Sequence, residues 1–268
     1  MKRFNRFAMI IGFPVLLLIA SCGKDNTGVN IFTTDDDIQL GLQMQEQILS
    51  DPANYLILDS IQYATAYQNI ERIRDTILAT HQVDYDKLFE WGVHIIRNDT
   101  VLNAFCTPGG YIYFYTGLIK FLDNEAQFAG VMGHEMAHAA RRHSTEQMTK
   151  AYGLEFLLSI VLGQNPNALV QLAADLAAGV SELAFSRDDE YEADEYSVKY
   201  LYLTSYDPRG VAGFFEKLDE SPQLPEFLST HPNPQNRIDK IDEVWQGLGG
   251  KSGQTYETRY QQFKNTLP

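Results

Sequence analysis

The chain has 268 residues, 44 % of them apolar, enough for one large domain with its own core. Acidic side chains outnumber basic ones by 35 to 21, a formal net charge of −14. Such a surface disfavours nucleic acid and anionic lipid as partners.

The first 21 residues read as a lipoprotein signal peptide rather than as fold. Lys2, Arg3 and Arg6 form a basic start, and Phe7 to Ala20 is an apolar stretch, interrupted by Pro14, too short for a convincing membrane span. It ends in Ile19-Ala20-Ser21-Cys22, the pattern of a bacterial lipobox, which implies cleavage before Cys22 and lipidation of its sulfur. Gly23 in the following position, rather than Asp, fits release to the outer membrane. Once Cys22 is lipidated, Cys106 has no partner for an internal disulfide. Residues 22–35 are polar and read as a lipidated tether, which leaves 36–268 for the folded domain.

Asp35-Asp36-Asp37 precedes an apolar pattern at Ile38, Leu40, Leu42 and Ile48, a helix with acidic residues at its positive end. A second helix is predicted at 67–79. Residues 88–97, 100–106 and 110–115 are rich in aromatic and β-branched residues and are broken by Asn98-Asp99 and Pro108-Gly109-Gly110, so they read as strands joined by turns. Cys106, among aromatics in such a strand, reads as a buried, inert thiol. Helices follow to the end of the chain. Phe156 to Leu162 is only seven apolar residues before Gly163 and Asn165-Pro166, and 167–184 carries Gln171, Asp175 and Glu182 along one side. Neither segment reads as a membrane span. Further helix starts are marked by Asp207-Pro208 and Asn233-Pro234, and Gly249-Gly250 precedes a short polar helix. The fold class is α+β: a mainly helical body with a small antiparallel β element lining one wall of a cleft.

The chemistry concentrates in Gly133-His134-Glu135-Met136-Ala137-His138. On a helix, residues four apart share a face, so His134 and His138 can present two imidazoles to one Zn²⁺. Glu135 sits beside them, where a carboxylate can take a proton from a water. Val131, Met132, Met136, Ala137, Ala139 and Ala140 suit a buried helix, and Asp123 or Asn124 offers its N-cap. A catalytic zinc usually has a third protein ligand. Within Ser186-Arg187-Asp188-Asp189-Glu190-Tyr191-Glu192-Ala193-Asp194, Glu190 and Asp194 lie one turn apart on one face. Glu190 can ligate while Asp194 accepts a hydrogen bond from a ligand imidazole. Glu192 points elsewhere. Spacing alone leaves Glu182, Asp188, Glu192 and Glu195 as competitors. Arg187 is a candidate to pair with an acidic neighbour and steady this helix.

His134–His138 followed by Glu190-Tyr191-Glu192-Ala193-Asp194 resembles the zinc metallopeptidase family that includes the CAAX prenyl proteases, the HtpX membrane proteases, the mitochondrial Oma-type proteases and the BepA/LoiP-like lipoproteins. Two further elements match: Asn103-Ala104-Phe105-Cys106-Thr107-Pro108-Gly109-Gly110-Tyr111-Ile112 ahead of the zinc helix, and Thr230-His231-Pro232 with Arg237-Ile238 near the end. The likeness covers roughly residues 36–245, with Cys106 standing where relatives often carry Ala or an aliphatic residue. It implies one Zn²⁺ held by His134, His138 and Glu190, with Asp194 supporting from behind and Glu135 as general base. It also brings the His231 loop near the cleft, as oxyanion donor or as a latch on the metal's open position.

The expected function is a zinc-dependent endopeptidase of the bacterial cell envelope, anchored through lipid on Cys22, on the periplasmic face of the outer membrane. Its substrates would be misfolded or unassembled envelope proteins. The strand Tyr111-Ile112-Tyr113-Phe114-Tyr115 would offer an unpaired edge for β-augmentation by an extended peptide. The alternative is a zinc-containing assembly chaperone that holds client strands with little proteolysis. An intact Glu135 counts against it, because a pure binder has no need of a general base.

Overall fold

The computed structural model describes residues 30–152, 154–161, 163, 166–178, 184–219, 227–232 and 236–268. The signal peptide, Cys22 and most of the tether lie outside them, as do Glu182 and Asn233-Pro234.

Helix α1 (Thr34–Ser50) begins with a reciprocal cap: the Thr33 side chain accepts from the Asp36 amide, and the Asp36 carboxylate accepts from the Thr33 amide. Helix α2 (Ala64–Leu78) follows. Strands β1 (Val93–Ile96), β2 (Ala104–Thr107) and β3 (Tyr111–Tyr115) form one sheet in the order β1-β3-β2. β2 and β3 are antiparallel, joined by Pro108-Gly109-Gly110. Both glycines there have positive φ, 75° and 90°, where a side chain would be strained. β1 runs parallel to β3, so the small sheet is mixed rather than purely antiparallel. The chain leaves β1 and crosses to the far side of β3 before turning back, which fixes that direction. The extended run expected from residue 88 starts only at 93, because Trp91 takes a left-handed conformation (φ 50°) and its indole N–H donates to the Tyr85 carbonyl.

Short α3 (Thr116–Phe121) leads into α4 (Glu125–Ala140), capped by the Asn124 side chain on the Gln127 amide. Every residue of α4 is buried. It is surrounded by the sheet and by α8 (Arg187–Tyr202) and α9 (Gly210–Asp219). The α4–α9 crossing is close enough that a Cβ on Gly130 would lie 2.2 Å from the Val211 amide nitrogen, and one on Gly210 would lie 1.9 Å from the Ala126 carbonyl oxygen. Any larger residue at either position would push the helices apart. Between them in the chain come α5 (His143–Tyr152), α6 (Leu154–Val161) and α7 (Pro166–Ala178). α7 packs on α1 through Leu40, Met44, Leu172 and Leu176. No helix of the described residues is long and apolar enough to cross a membrane.

The last elements are α10 (Phe227–Thr230), α11 (Arg237–Gly247) and α12 (Glu257–Lys264). α12 supplies a purpose for the polar tail. Its Tyr260 and Phe263 pack against Phe128 of α4, and its Arg259 reaches Glu125. Glu125, fully buried at the start of α4, accepts from Arg72 of α2 (2.7 and 2.9 Å), from Arg259 Nε (2.7 Å) and from the Tyr206 hydroxyl (2.5 Å). Burial works against its ionisation, but these hydrogen bonds and the Arg72 charge prevail and hold the carboxyl below its ordinary 4.5. The resulting stabilisation is present above the ordinary carboxylate range and is lost as pH falls below it, through the lowered value. Glu125→Gln should therefore cost about 2–3 kcal/mol at pH 7 and less in acid. Urea denaturation at two pH values measures this, and a pH-independent difference would contradict it.

Candidate active site

Helix α4 sets His134, Glu135 and His138 on neighbouring parts of one buried surface, and all three are 0 % exposed. The Nε2 atoms of the two histidines lie 3.0 Å apart. Helix α8 supplies Glu190 and Asp194. Its start is fixed by Ser186 and Asp189, which cap each other reciprocally as Thr33 and Asp36 do. Glu190 lies in its first turn, with Oε2 3.5 Å from His134 Nε2 and Oε1 3.5 Å from His138 Nε2. The segment after α10 brings in His231, whose Nδ1 is 3.2 Å from His134 Nε2 and 3.0 Å from Glu190 Oε1. Donor atoms from His134, His138, Glu190 and His231 all lie within 4.8 Å of one another.

The chemistry of this donor set fits a metal ion. The His134 Nδ1 contact with Asp194 Oδ1 (2.9 Å) places the ring proton on Nδ1, because a carboxylate only accepts. That leaves the Nε2 lone pair of His134 aimed at His138, Glu190 and His231. Metal–ligand bonds of about 2.0–2.1 Å in a tetrahedron put ligand atoms about 3.3 Å apart. The observed separations, 3.0 to 3.5 Å, bracket that spacing. Glu135 is different: its carboxylate is buried among weak partners, with Oε1 3.4 Å from His231 Nε2 and no close hydrogen bond from nitrogen or oxygen. Burial pushes its carboxyl up from the ordinary range, while charge on His231 and His134 pulls it back. The Cys106 thiol neighbours this carboxylate, and burial together with the Glu135 charge raises the thiol well above its usual value, so it is a neutral, buried group.

The structure brings several of the expected residues together. Glu190 and Asp194 face inward together, and His231 reaches the donor set. Asp188 is exposed, and Glu195 pairs with Lys199 on the surface of α8. Two expectations are corrected. Arg187 is exposed and forms no ion pair among the described residues. The cation that steadies α8 is Arg237, 1 % exposed, whose Nε and Nη2 grip Asp194 at 2.7 and 2.6 Å while Nη1 lies 2.8 Å from Glu190. Its guanidinium stacks 4.0 Å over Phe215. Second, Tyr111–Tyr115 offers no open edge. β3 is the central strand, hydrogen-bonded to β1 on one side and β2 on the other. Its side chains belong to the core, with Ile112 and Phe114 on the α4 side and Tyr111 and Tyr113 on the other.

Sequence reasoning passed over His143 and turned Glu192 away from the site. His143 Nδ1 lies 2.9 Å from His138 Nδ1, and His143 Nε2 lies 3.0 Å from Glu192 Oε2. Glu192 thus points toward the centre through an intermediary rather than away from it. Aromatic rings close the walls: Phe185 stacks on His138 at 3.9 Å and Phe227 on His231 at 4.3 Å. A small apolar cavity bordered by Met44, Phe105, Met148 and Phe185 opens beside His231 and Cys106. A larger groove between α1, α2 and β1 holds none of the donor residues, so size does not mark the chemistry here.

The contrast between the two arginines is testable. Arg237→Met leaves two buried carboxylates without their cation and should cost about 3–5 kcal/mol of stability. The same change at exposed Arg187 should stay within about 0.5 kcal/mol. Denaturant midpoints measure both, and comparable losses would restore Arg187 to the site.

Comparison with known proteins adds to this geometry. Residues 65–245 match the model of peptidase family M48. The chain is 37 % identical over 149 residues to the mitochondrial metalloendopeptidase OMA1 of Arabidopsis thaliana, covering 55 % of this chain and 30 % of that protein. It is 33 % identical over 157 residues to the beta-barrel assembly-enhancing protease of Escherichia coli K12, covering 54 % and 32 %. Over 222 residues it is 27 % identical to the OMA1 protein of Schizosaccharomyces pombe, covering 80 % and 62 %. The chain thus spans about a third of the length of the first two relatives. With the matched region enclosing the helix of His134 and His138, the helix of Glu190 and the segment of His231, the chain belongs to peptidase family M48.

Proposed function

We propose that the protein is a zinc-dependent endopeptidase of the bacterial cell envelope that degrades misfolded or unassembled envelope proteins. The observation that carries this reading is the fully buried Glu135 carboxylate, with no arginine or lysine among the described residues to neutralise it, beside four convergent metal-donor groups. A chain that only bound its clients would have no use for a desolvated base at that point. His134, His138 and Glu190 would hold the ion. Zn²⁺ bound there supplies Lewis-acid polarisation of the scissile carbonyl and of the attacking water. Glu135 takes the proton from that water and hands it to the leaving amine, a task suited to a carboxyl raised from its ordinary range by burial. Asp194 and Arg237 keep the His134 proton on Nδ1.

The peptide would lie along β2 rather than β3. β2 ends the sheet order among the described residues. The Tyr115 amide donates to the Asn103 carbonyl, so antiparallel alternation turns the Ala104 and Cys106 backbone groups to the outer side, where the Asn103 side chain occupies the Ala104 N–H at 2.9 Å as a pairing peptide would. An extended segment pairing there is recognised by its backbone, which suits substrates defined by being unfolded. The cavity beside His231 and Cys106 would take an apolar side chain. The envelope location rests on the lipobox-like Ile19–Cys22 and on the likeness to the Escherichia coli protease. Lipid on Cys22 would tether the domain on the periplasmic face of the outer membrane.

His231 would act as a latch. Its Nδ1 stands as close to Glu190 and His134 as a fourth ligand requires. A ring in that position excludes water from it.

Two substitutions test this reading. Glu135→Gln should abolish casein hydrolysis and leave zinc content unchanged, and undiminished turnover would refute the mechanism. His231→Ala should raise hydrolysis of an unfolded substrate by freeing the fourth position. A fall of about 10²–10³-fold would instead make the ring an oxyanion donor, and no change would leave it structural.

A further inference from the structure

His143 stands outside the motifs that point to the site, yet it is 1 % exposed and touches a donor residue. Its position is set by the turn before it. α4 ends at Ala140, and Arg142 then takes φ 63°, a left-handed conformation unfavourable for a residue with a side chain. Arg142 is held there by Asp37 and by the Phe32 carbonyl, both on the N-terminal side of the fold. The turn folds the start of α5 back, so that His143 faces His138.

With His143 neutral, the proton positions around it have one consistent arrangement. Glu192 is held by Arg141 Nε at 2.9 Å and accepts, so the facing His143 Nε2 carries a proton. A neutral imidazole has one donor and one acceptor nitrogen, so His143 Nδ1 is the acceptor. The nitrogen facing it, His138 Nδ1, must then be the donor. His138 Nε2 is left with its lone pair directed at His134 and Glu190.

We propose that His143 is a positioning residue for the metal centre. With Glu192 it fixes the tautomer and ring orientation of His138, as Asp194 with Arg237 does for His134. The inference rests on the metal-binding function proposed above. It also makes the two histidine ligands unequal: His134 is backed by a carboxylate directly, His138 by a carboxylate acting through a neutral ring.

Two measurements test it. In the metal-free unaltered protein, ring-nitrogen chemical shifts should report a proton on Nδ1 of His138 and on Nε2 of His143, and the opposite tautomer at either ring overturns the proposal. Zn²⁺ affinity, read by competition with a chromophoric chelator, should fall about 10–100-fold in His143→Phe, which keeps the volume and removes both hydrogen bonds. His143→Gln keeps one acceptor and one donor and should recover most of the loss. A merely structural role would lower the melting temperature of the metal-free protein and leave Zn²⁺ affinity unchanged. Equal affinity in His143→Phe and the unaltered protein therefore overturns the proposal. Should His143→Phe fail to fold, Glu192→Leu, at a partly exposed site, should lower Zn²⁺ affinity in the same direction, and an unchanged affinity there is equally contrary. Failure of the unaltered protein to bind Zn²⁺ would overturn the proposed function itself, a result distinct from tight binding that ignores His143.

Discussion

Two imidazole nitrogens, Nε2 of His134 and Nε2 of His138, lie 3.0 Å apart inside a helix that has no exposed residue. That close approach is the constraint on which much of the surrounding structure depends. Both rings are held from outside the pair. His134 is pinned through Asp194 and Arg237, His138 through its neighbours on α5 and α8, and aromatic rings press on both sides. The carboxylate of Glu190 adds negative charge to the same small volume, balanced in part by Arg237. A cation between these donors would draw all of them at once, as expected of a site preorganised for metal.

The frame that carries this burden is compact at its crossings. α4 can be buried on all sides because glycines let α9 approach its backbone and because Ser197 of α8 donates to the Gly130 carbonyl at 2.7 Å. The start of α4 is fixed by Asn124 and by the Glu125 cluster, which draws α2 and α12 onto the same helix end. Elements far apart in the chain thus converge on one rod, whose side chains have few alternative positions.

Much of this was legible in the sequence where the determining interactions are local. The α4 pattern, its Asn124 cap and the four-residue spacing of His134 with His138 and of Glu190 with Asp194 follow from helix geometry alone. Strand pairing was less accessible. Residues 111–115 have the composition of a strand, but which strands flank them depends on where the chain crosses after β1, and that is decided by tertiary packing. Arg237 was visible within a motif, but its contact with Asp194 spans 43 positions and has no spacing signature. Arg187 was the nearer cation and the wrong one, since the first turn of α8 turns it to solvent. His143 was hidden for a sharper reason. Five residues beyond His138 on a continuous helix it would lie well around the barrel from it, and only the left-handed residue at 142 brings it back.

The centre is also dispersed along the chain. His134 meets Asp194 across 60 positions and His231 across 97. Closing such long loops costs entropy before any contact repays it, so these are late events in folding. During synthesis the helix bearing Glu135 emerges well before Glu190, His231 and Arg237 exist to complete the cluster. A half-made chain therefore holds a base and two imidazoles without the rest of the donor set. The order of the ligands in the sequence withholds a complete donor set until the domain that contains it has closed.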